Sequence, residues 1–290
     1  MLRLKIVLVI LSRHSMSEQS EEHTMTDSDD YYGNQMFLIT GASGNLGSAY
    51  AAYLSHYRGR IYGLVRHEVQ ESIPRVKYIQ CDLMNQGSID TALHAISLKN
   101  TSTLTLIHTI GKFKFEANST LRRANDAIDT DVFESNVTTY KNIVHSLLDK
   151  RNQCKSAKTM PIKSILFGSL SDGHNIPWWH SYSVAKNSLK ELAESFAAQN
   201  EYFSSFCFNL GSLNTKEERD LRPCGDPRFW VTPQKVVKQS MDFVEGFRDP
   251  VIRYHDIFAE WPHFSKDYYD NHCALLQKWK REMSPLNYSI

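Results

Sequence analysis

Tyr182 and Lys186 stand four residues apart, and on a helix that interval places a phenol and an ammonium on one face. The chemistry open to such a pair is proton transfer. A free phenol titrates at about pH 10, and a neighbouring positive charge favours its phenolate. An isolated Tyr-x-x-x-Lys is a weak signal in a chain with 14 tyrosines, so its weight depends on what surrounds it. Upstream lies Gly168-Ser169-Leu170-Ser171, at the end of an apolar run, and the two hydroxyls fall on one side of an extended chain. Trp178 and Trp179 directly precede the pair and suit either an apolar substrate pocket or the core.

A second set of residues suits an anionic ligand. The apolar run 36–40 leads into Gly41-Ala42-Ser43-Gly44-Asn45-Leu46-Gly47 and then a helical stretch. Glycines at 41, 44 and 47 permit a tight turn and close backbone approach, so a pyrophosphate can rest on the N–H groups of the helix start. The next strand, 60–65, ends at Arg66, where an NAD-preferring site carries an acidic residue for the ribose hydroxyl. Arg66 suits a 2′-phosphate instead, and NADP(H) is favoured over NAD(H).

Positioning these groups requires a regular frame. Strands read at 60–65, 76–81, 104–111, 164–168 and 202–210 follow the first, with helices around 88–98, 132–148 (containing Asn136), 183–198 and 233–247. The last but one of these carries Lys186 in its first turn. Polar residues 112–131 are expected to cross the rim of the site, and 149–163 form a basic surface connection rather than a nucleic-acid surface. Residues 216–231 are charged, broken by prolines and end in Phe229-Trp230, the pattern of a mobile substrate lid. The tail, 248–290, holds a strand at 251–254 and an amphipathic helix at 265–283 whose aromatic face suits packing on the domain or on a partner subunit. Alternating strands and helices predict a single α/β domain over 36–247, a doubly wound parallel sheet between two helical layers.

Residues 1–35 read as a disordered leader, because 12–35 are rich in Ser, Glu, Asp and His, and the apolar run 4–11 is far shorter than the roughly 20 residues of a membrane helix. Formal net charge is +1 with 22% charged residues, which gives no bias toward nucleic acid or an anionic membrane. Five cysteines, odd in number and without ligand spacing, suit a reducing, cytoplasmic setting and no structural metal.

With Thr40-Gly41-x-x-Gly44-x-x-Gly47, Asp82-Leu83, Asn136, Ser169 and Tyr182-x-x-x-Lys186 in order, the chain resembles the short-chain dehydrogenase/reductase family. Ser169 lies thirteen residues before Tyr182, the family's usual interval. The turn 211–215 resembles the family's Pro-Gly-x-x-x-Thr, with Leu210 in place of Pro, and the family's Asn-Asn-Ala-Gly is here His108-Thr109-Ile110-Gly111. Gly44 gives the spacing of the longer, nucleotide-sugar-modifying members. The resemblance implies a Rossmann-type fold and a homodimer or homotetramer. It implies cofactor contacts from the glycine turn, Asp82, Leu83, Gly111, Thr215, Tyr182 and Lys186. It also implies Tyr182 as acid/base, Lys186 lowering its pKa and holding the nicotinamide ribose, Ser169 bonding the reacting oxygen, and Asn136 holding a water behind Lys186. Ser171 is the rival hydroxyl. The expected activity is NADP(H)-dependent interconversion of a carbonyl and an alcohol on a small substrate, with a nucleotide-sugar epimerase, dehydratase or reductase, or a silent NADP-binding regulator, as alternatives.

Overall fold

The structure, a computed structural model, describes residues 34–116, 128–247, 251–259 and 267–283. The expected leader therefore lies almost wholly outside the described residues. Seven parallel strands form one sheet in the order β3-β2-β1-β4-β5-β6-β7. They are β1 (Gln35–Thr40), β2 (Arg60–Val65), β3 (Val76–Gln80), β4 (Thr103–His108), β5 (Ile162–Ser169), β6 (Phe203–Leu210) and β7 (Ile252–Ile257). Helices cover both faces, as the alternation of elements requires for a parallel sheet. Central strands β1 and β4 are buried at five of six positions, which is why they read as continuous apolar runs. Edge strands β3 and β7 are mostly half-buried or exposed, so β7 was legible only as a four-residue stub.

Helices α1 (Asn45–Leu54) and α7 (Pro233–Glu245) pack on one face of the sheet. The other face is covered by α2 (Gln86–His94), the short α3 (Thr130–Phe133), α4 (Thr139–Gln153) and α5 (His180–Gln199). Between α3 and α4 the backbone widens into a π-turn, Glu134–Thr138, where the sequence reads as one unbroken helix. Asn136 supplies the reason: its side-chain amide donates to the Val132 carbonyl at 2.8 Å and to the Lys112 carbonyl at 2.9 Å. A side chain that takes a ladder acceptor forces a local bulge, a feature common at functional sites. α5 begins three residues earlier than its apolar period suggests, after a 3₁₀ turn at Pro177–Trp179, so Lys186 falls in the second turn.

The segment after β6 holds α6 (Lys216–Leu221), capped by the Thr215 hydroxyl accepting from the Glu218 N–H. The tail is two helices rather than one, α8 (Asp267–Asp270) and α9 (His272–Met283). They break at Asn271, whose side chain caps the second by accepting from the Ala274 N–H at 3.1 Å. β1 lies between β2 and β4, so successive crossovers run to opposite sides and leave a crevice at the strand carboxyl ends. The site lies there.

Candidate active site

The turn after β1 is shaped by two of its glycines. Gly41 has φ +70°, the left-handed region that glycine adopts without strain. At Gly47 a Cβ would sit 2.2 Å from the Gly41 carbonyl oxygen, so only hydrogen lets α1 approach the strand this closely. Gly44 caps α1 with no side-chain bond, which leaves the helix-start N–H groups open to a ligand. These features fit a dinucleotide pyrophosphate. One contact opposes it: Asn45 Nδ2 donates to the Glu217 carboxylate of α6 at 2.8 Å, bringing a negative charge to the same turn.

Gly111 is the one residue the His-Thr-Ile-Gly stretch shares with its family counterpart, and the structure gives the reason. A Cβ there would lie 2.9 Å from Asn136 Oδ1 and 3.3 Å from Lys186 Nζ. The bare glycine lets both groups reach the end of β4. Asn136 is fully buried, and its Oδ1 has no hydrogen-bond partner among the described residues.

On the opposite wall, β5 and α5 present the candidate reacting groups. Lys186 Nζ donates to the Phe167 carbonyl of β5 at 2.8 Å and lies 5.4 Å from the centre of the Tyr182 ring. Ser169 Oγ and Ser171 Oγ are 2.8 Å apart, so the two candidate hydroxyls form one hydrogen-bonded pair. Burial dominates the electrostatics. It pushes the Tyr182 phenol well above its ordinary range, with Asp172 adding to the effect. It also pulls the Lys186 ammonium down to about 8, against the opposing pull of Asp172. The expected lowering of the phenol by Lys186 is thus outweighed, because desolvation disfavours the phenolate more than this lysine favours it. Burial thus favours the neutral phenol at Tyr182.

These groups face one cleft of about 540 Å³. Of the residues singled out in the sequence, Gly44, Asn45, Leu46, Gly111 and Thr215 line it on the side of the glycine turn, and Ser169, Ser171, Trp179, Tyr182 and Lys186 line it on the side of β5 and α5. Gly41 and Gly47 shape the turn without lining the cleft, and Ser43 is exposed in the turn and also outside the lining. Arg66 is exposed at the end of β2, its guanidinium on the His67 ring at 3.2 Å. Asp82 caps its own turn by accepting from the Met84 N–H, and Leu83 is core. Trp178, Phe229 and Trp230 also fall outside the lining. Trp230 is buried against Gly225 and the Arg222 guanidinium, Phe229 lies 5.7 Å from Lys278 Nζ, and Trp178 meets His272 edge-on.

Of the candidate pocket aromatics Trp179 does line the cleft, and it is joined there by aromatics from other segments. Phe113 and Phe115, in the polar piece after β4, meet Trp179, Tyr269 of α8 and Trp279 of α9 around the cleft. Trp279 lies 4.7 Å from Trp179 and 5.6 Å from Phe113 between ring centres. The alternating Phe in Lys-Phe-Lys-Phe and the aromatic stripe of the tail were visible, but nothing local joined them. Among the described residues no cluster of His, Cys, Asp or Glu has the geometry of a metal site, and no helix is long and apolar enough to cross a membrane.

A parallel seven-stranded sheet with a glycine turn at its first crossover and a Ser/Tyr/Lys wall defines a Rossmann-type protein of the short-chain dehydrogenase/reductase kind. The chain belongs to the NAD dependent epimerase/dehydratase family, whose sequence profile matches residues 37–222. Among solved structures it is similar to an alcohol dehydrogenase from the archaeon Thermococcus sibiricus complexed with 5-hydroxy-NADP (TM-score 0.63, 16% identity, covering 80% of this chain and 99% of that one). It is also similar to a short chain dehydrogenase from Burkholderia cenocepacia in complex with NADP (TM-score 0.61, 18% identity, covering 85% and 97%). A 3-ketoacyl-(acyl-carrier-protein) reductase from Brucella melitensis complexed with NADH aligns at TM-score 0.58 and 16% identity, covering 77% and 96%. At these identities the likeness is one of fold. No curated protein sequence matches the chain.

Proposed function

We propose that this protein is an oxidoreductase that interconverts a carbonyl and an alcohol on a small organic substrate, with a nicotinamide dinucleotide as redox partner. One observation carries the reading: Ser169, Tyr182 and Lys186 share a cleft with an open glycine-turned helix start. The bound cofactor supplies or accepts the hydride. In the reductive direction Tyr182 gives its phenolic proton to the substrate oxygen as the carbon is reduced, leaving an alcohol and a phenolate. Lys186, charged below about pH 8, steadies that phenolate and passes on a replacement proton. The Ser169–Ser171 pair hydrogen-bonds the reacting oxygen and orients it toward the phenol.

Residues that would hold the cofactor are the backbone of Gly44 to Leu46, Gly111, Thr215 and Lys186, with Asn136 behind Lys186. Exposed Arg66 is the group for a 2′-phosphate and supports NADP(H) over NAD(H). Tyr182→Phe tests the assignment: carbonyl reduction should fall about a hundredfold or more while NADPH binding persists. Wild-type turnover in that variant would refute the mechanism. NADPH binding more tightly than NADH, with the advantage lost in Arg66→Ala, is expected from the cofactor assignment. The family match and the Gly44 spacing favour a second reading, a nucleotide-sugar epimerase, dehydratase or reductase, which tight binding of a sugar nucleotide would support.

A further inference from the structure

α5 carries Tyr182, Lys186 and a third group at the same interval, Lys190. Lys190 passes directly over Gly168, where a Cβ would meet its Cε at 2.5 Å. Its Nζ reaches Asp172 Oδ2 at 2.7 Å, and the two side chains are 16% and 3% exposed, so the ion pair joins a half-buried lysine to a buried carboxylate beneath the site. The same Asp172 oxygen accepts from the Ser169 N–H at 2.9 Å. The Asp172 carbonyl accepts from Asn187 Nδ2 at 3.2 Å, and Asp172 Oδ1 has no hydrogen-bond partner among the described residues. One buried residue thus ties the Ser169 turn to α5.

We propose that Asp172 and Lys190 are positioning residues for this site: the carboxylate fixes the turn that presents Ser169, and the two charges together set the field in which Lys186 works. Lys186 and Ser169 as working groups rest on the function proposed above, but the charge arrangement does not. Lys186 feels the charges of Asp172 from the turn, Cys207 from β6, His108 from β4 and Lys190 from its own helix, and lies over the Tyr182 ring one turn before it. Asp172 favours its ammonium and Lys190 disfavours it, so removing either half of the ion pair should move Lys186 in opposite directions. A purely structural role for the pair predicts no such opposition.

Pulse acetylation of the full-length protein with acetic anhydride across pH, read at Lys186 by mass spectrometry, measures its titration without substrate or cofactor. Asp172→Asn should lower the Lys186 midpoint by about one pH unit, Lys190→Met should raise it measurably, and Asp172→Glu should leave it near wild type. The proposal is overturned if both variants shift the midpoint the same way, or if neither shifts it while near-UV circular dichroism stays native. Should Asp172→Asn fail to fold, Lys190→Met and Asp172→Glu decide the matter. A Lys190→Met midpoint at or below wild type would overturn the proposal. Because no turnover is measured, its failure leaves the oxidoreductase reading untouched, and the Tyr182→Phe outcome leaves this one untouched.

Discussion

The two ends of the cleft are built by different means. At the proposed cofactor end, β1, its turn and α1 are contiguous in the chain, and the geometry is dictated by missing side chains at Gly41 and Gly47. The proposed substrate end is assembled from four distant segments: the Phe113/Phe115 stretch, the start of α5, α6, and the tail helices. A contiguous turn tolerates no substituent but needs no partner. An assembled wall is held by long-range contacts, and its energetics centre on Arg222. That guanidinium is buried and bonds Glu218 of α6, Ser212, and Glu282 of α9 at 2.8 Å, while lying 4.1 Å from the Trp279 ring.

Removing Arg222 is therefore the largest break expected in this contrast. Arg222→Ala strips Glu218 of its cation and leaves Glu282 only Lys278 at 3.7 Å, and stability should fall by about 3 kcal/mol. Chemical denaturation measures that loss, and substrate-analogue binding should weaken far more than NADPH binding. Next is Gly47→Ala, whose Cβ must displace the Gly41 carbonyl. A loss of about 2 kcal/mol together with weakened cofactor binding is expected by the same denaturation assay and by NADPH fluorescence. Gly173→Ala, with no atom within 4 Å of its Cβ, should change neither.

A smaller effect concerns charge at the junction of the two ends. Lys186 loses its proton as pH rises through about 8, so kcat/KM for carbonyl reduction should decline above that value, and this step should vanish in Lys186→Met. The linked stability has a defined sign. The folded value lies below the 10.5 of an ordinary lysine, so between those limits the unfolded chain holds more protons and this group makes stability rise with pH. Smallest is Glu217→Gln. Removing the carboxylate that meets Asn45 relieves like-charge repulsion with a bound pyrophosphate, and the NADPH dissociation constant should fall a few-fold. An unchanged or raised constant would show that α6 does not compete for the turn.

What the sequence determined by itself was the frame and the chemical pair. Apolar runs of strand length, most of them followed by a helical period, dictated the order of elements, and glycine spacing dictated the turn, because both are local rules of backbone sterics and burial. Tyr182 and Lys186 were legible as one helix face from their i, i+4 interval, whereas Ser169 was picked out over Ser171 by the resemblance, through its interval to Tyr182. Asn136 was legible as a residue but not as the cause of a π-turn, which needs the Lys112 carbonyl from another segment. Only the tertiary structure decided what walls the substrate end. Phe113, Tyr269 and Trp279 carry no mutual signal along the chain, and they meet because Arg222 and the split tail bring α9 across the cleft. The sense of the electrostatics was likewise tertiary. Whether Lys186 would lower Tyr182, or burial would raise it, depends on how deeply both are desolvated, and depth is set by packing rather than by spacing.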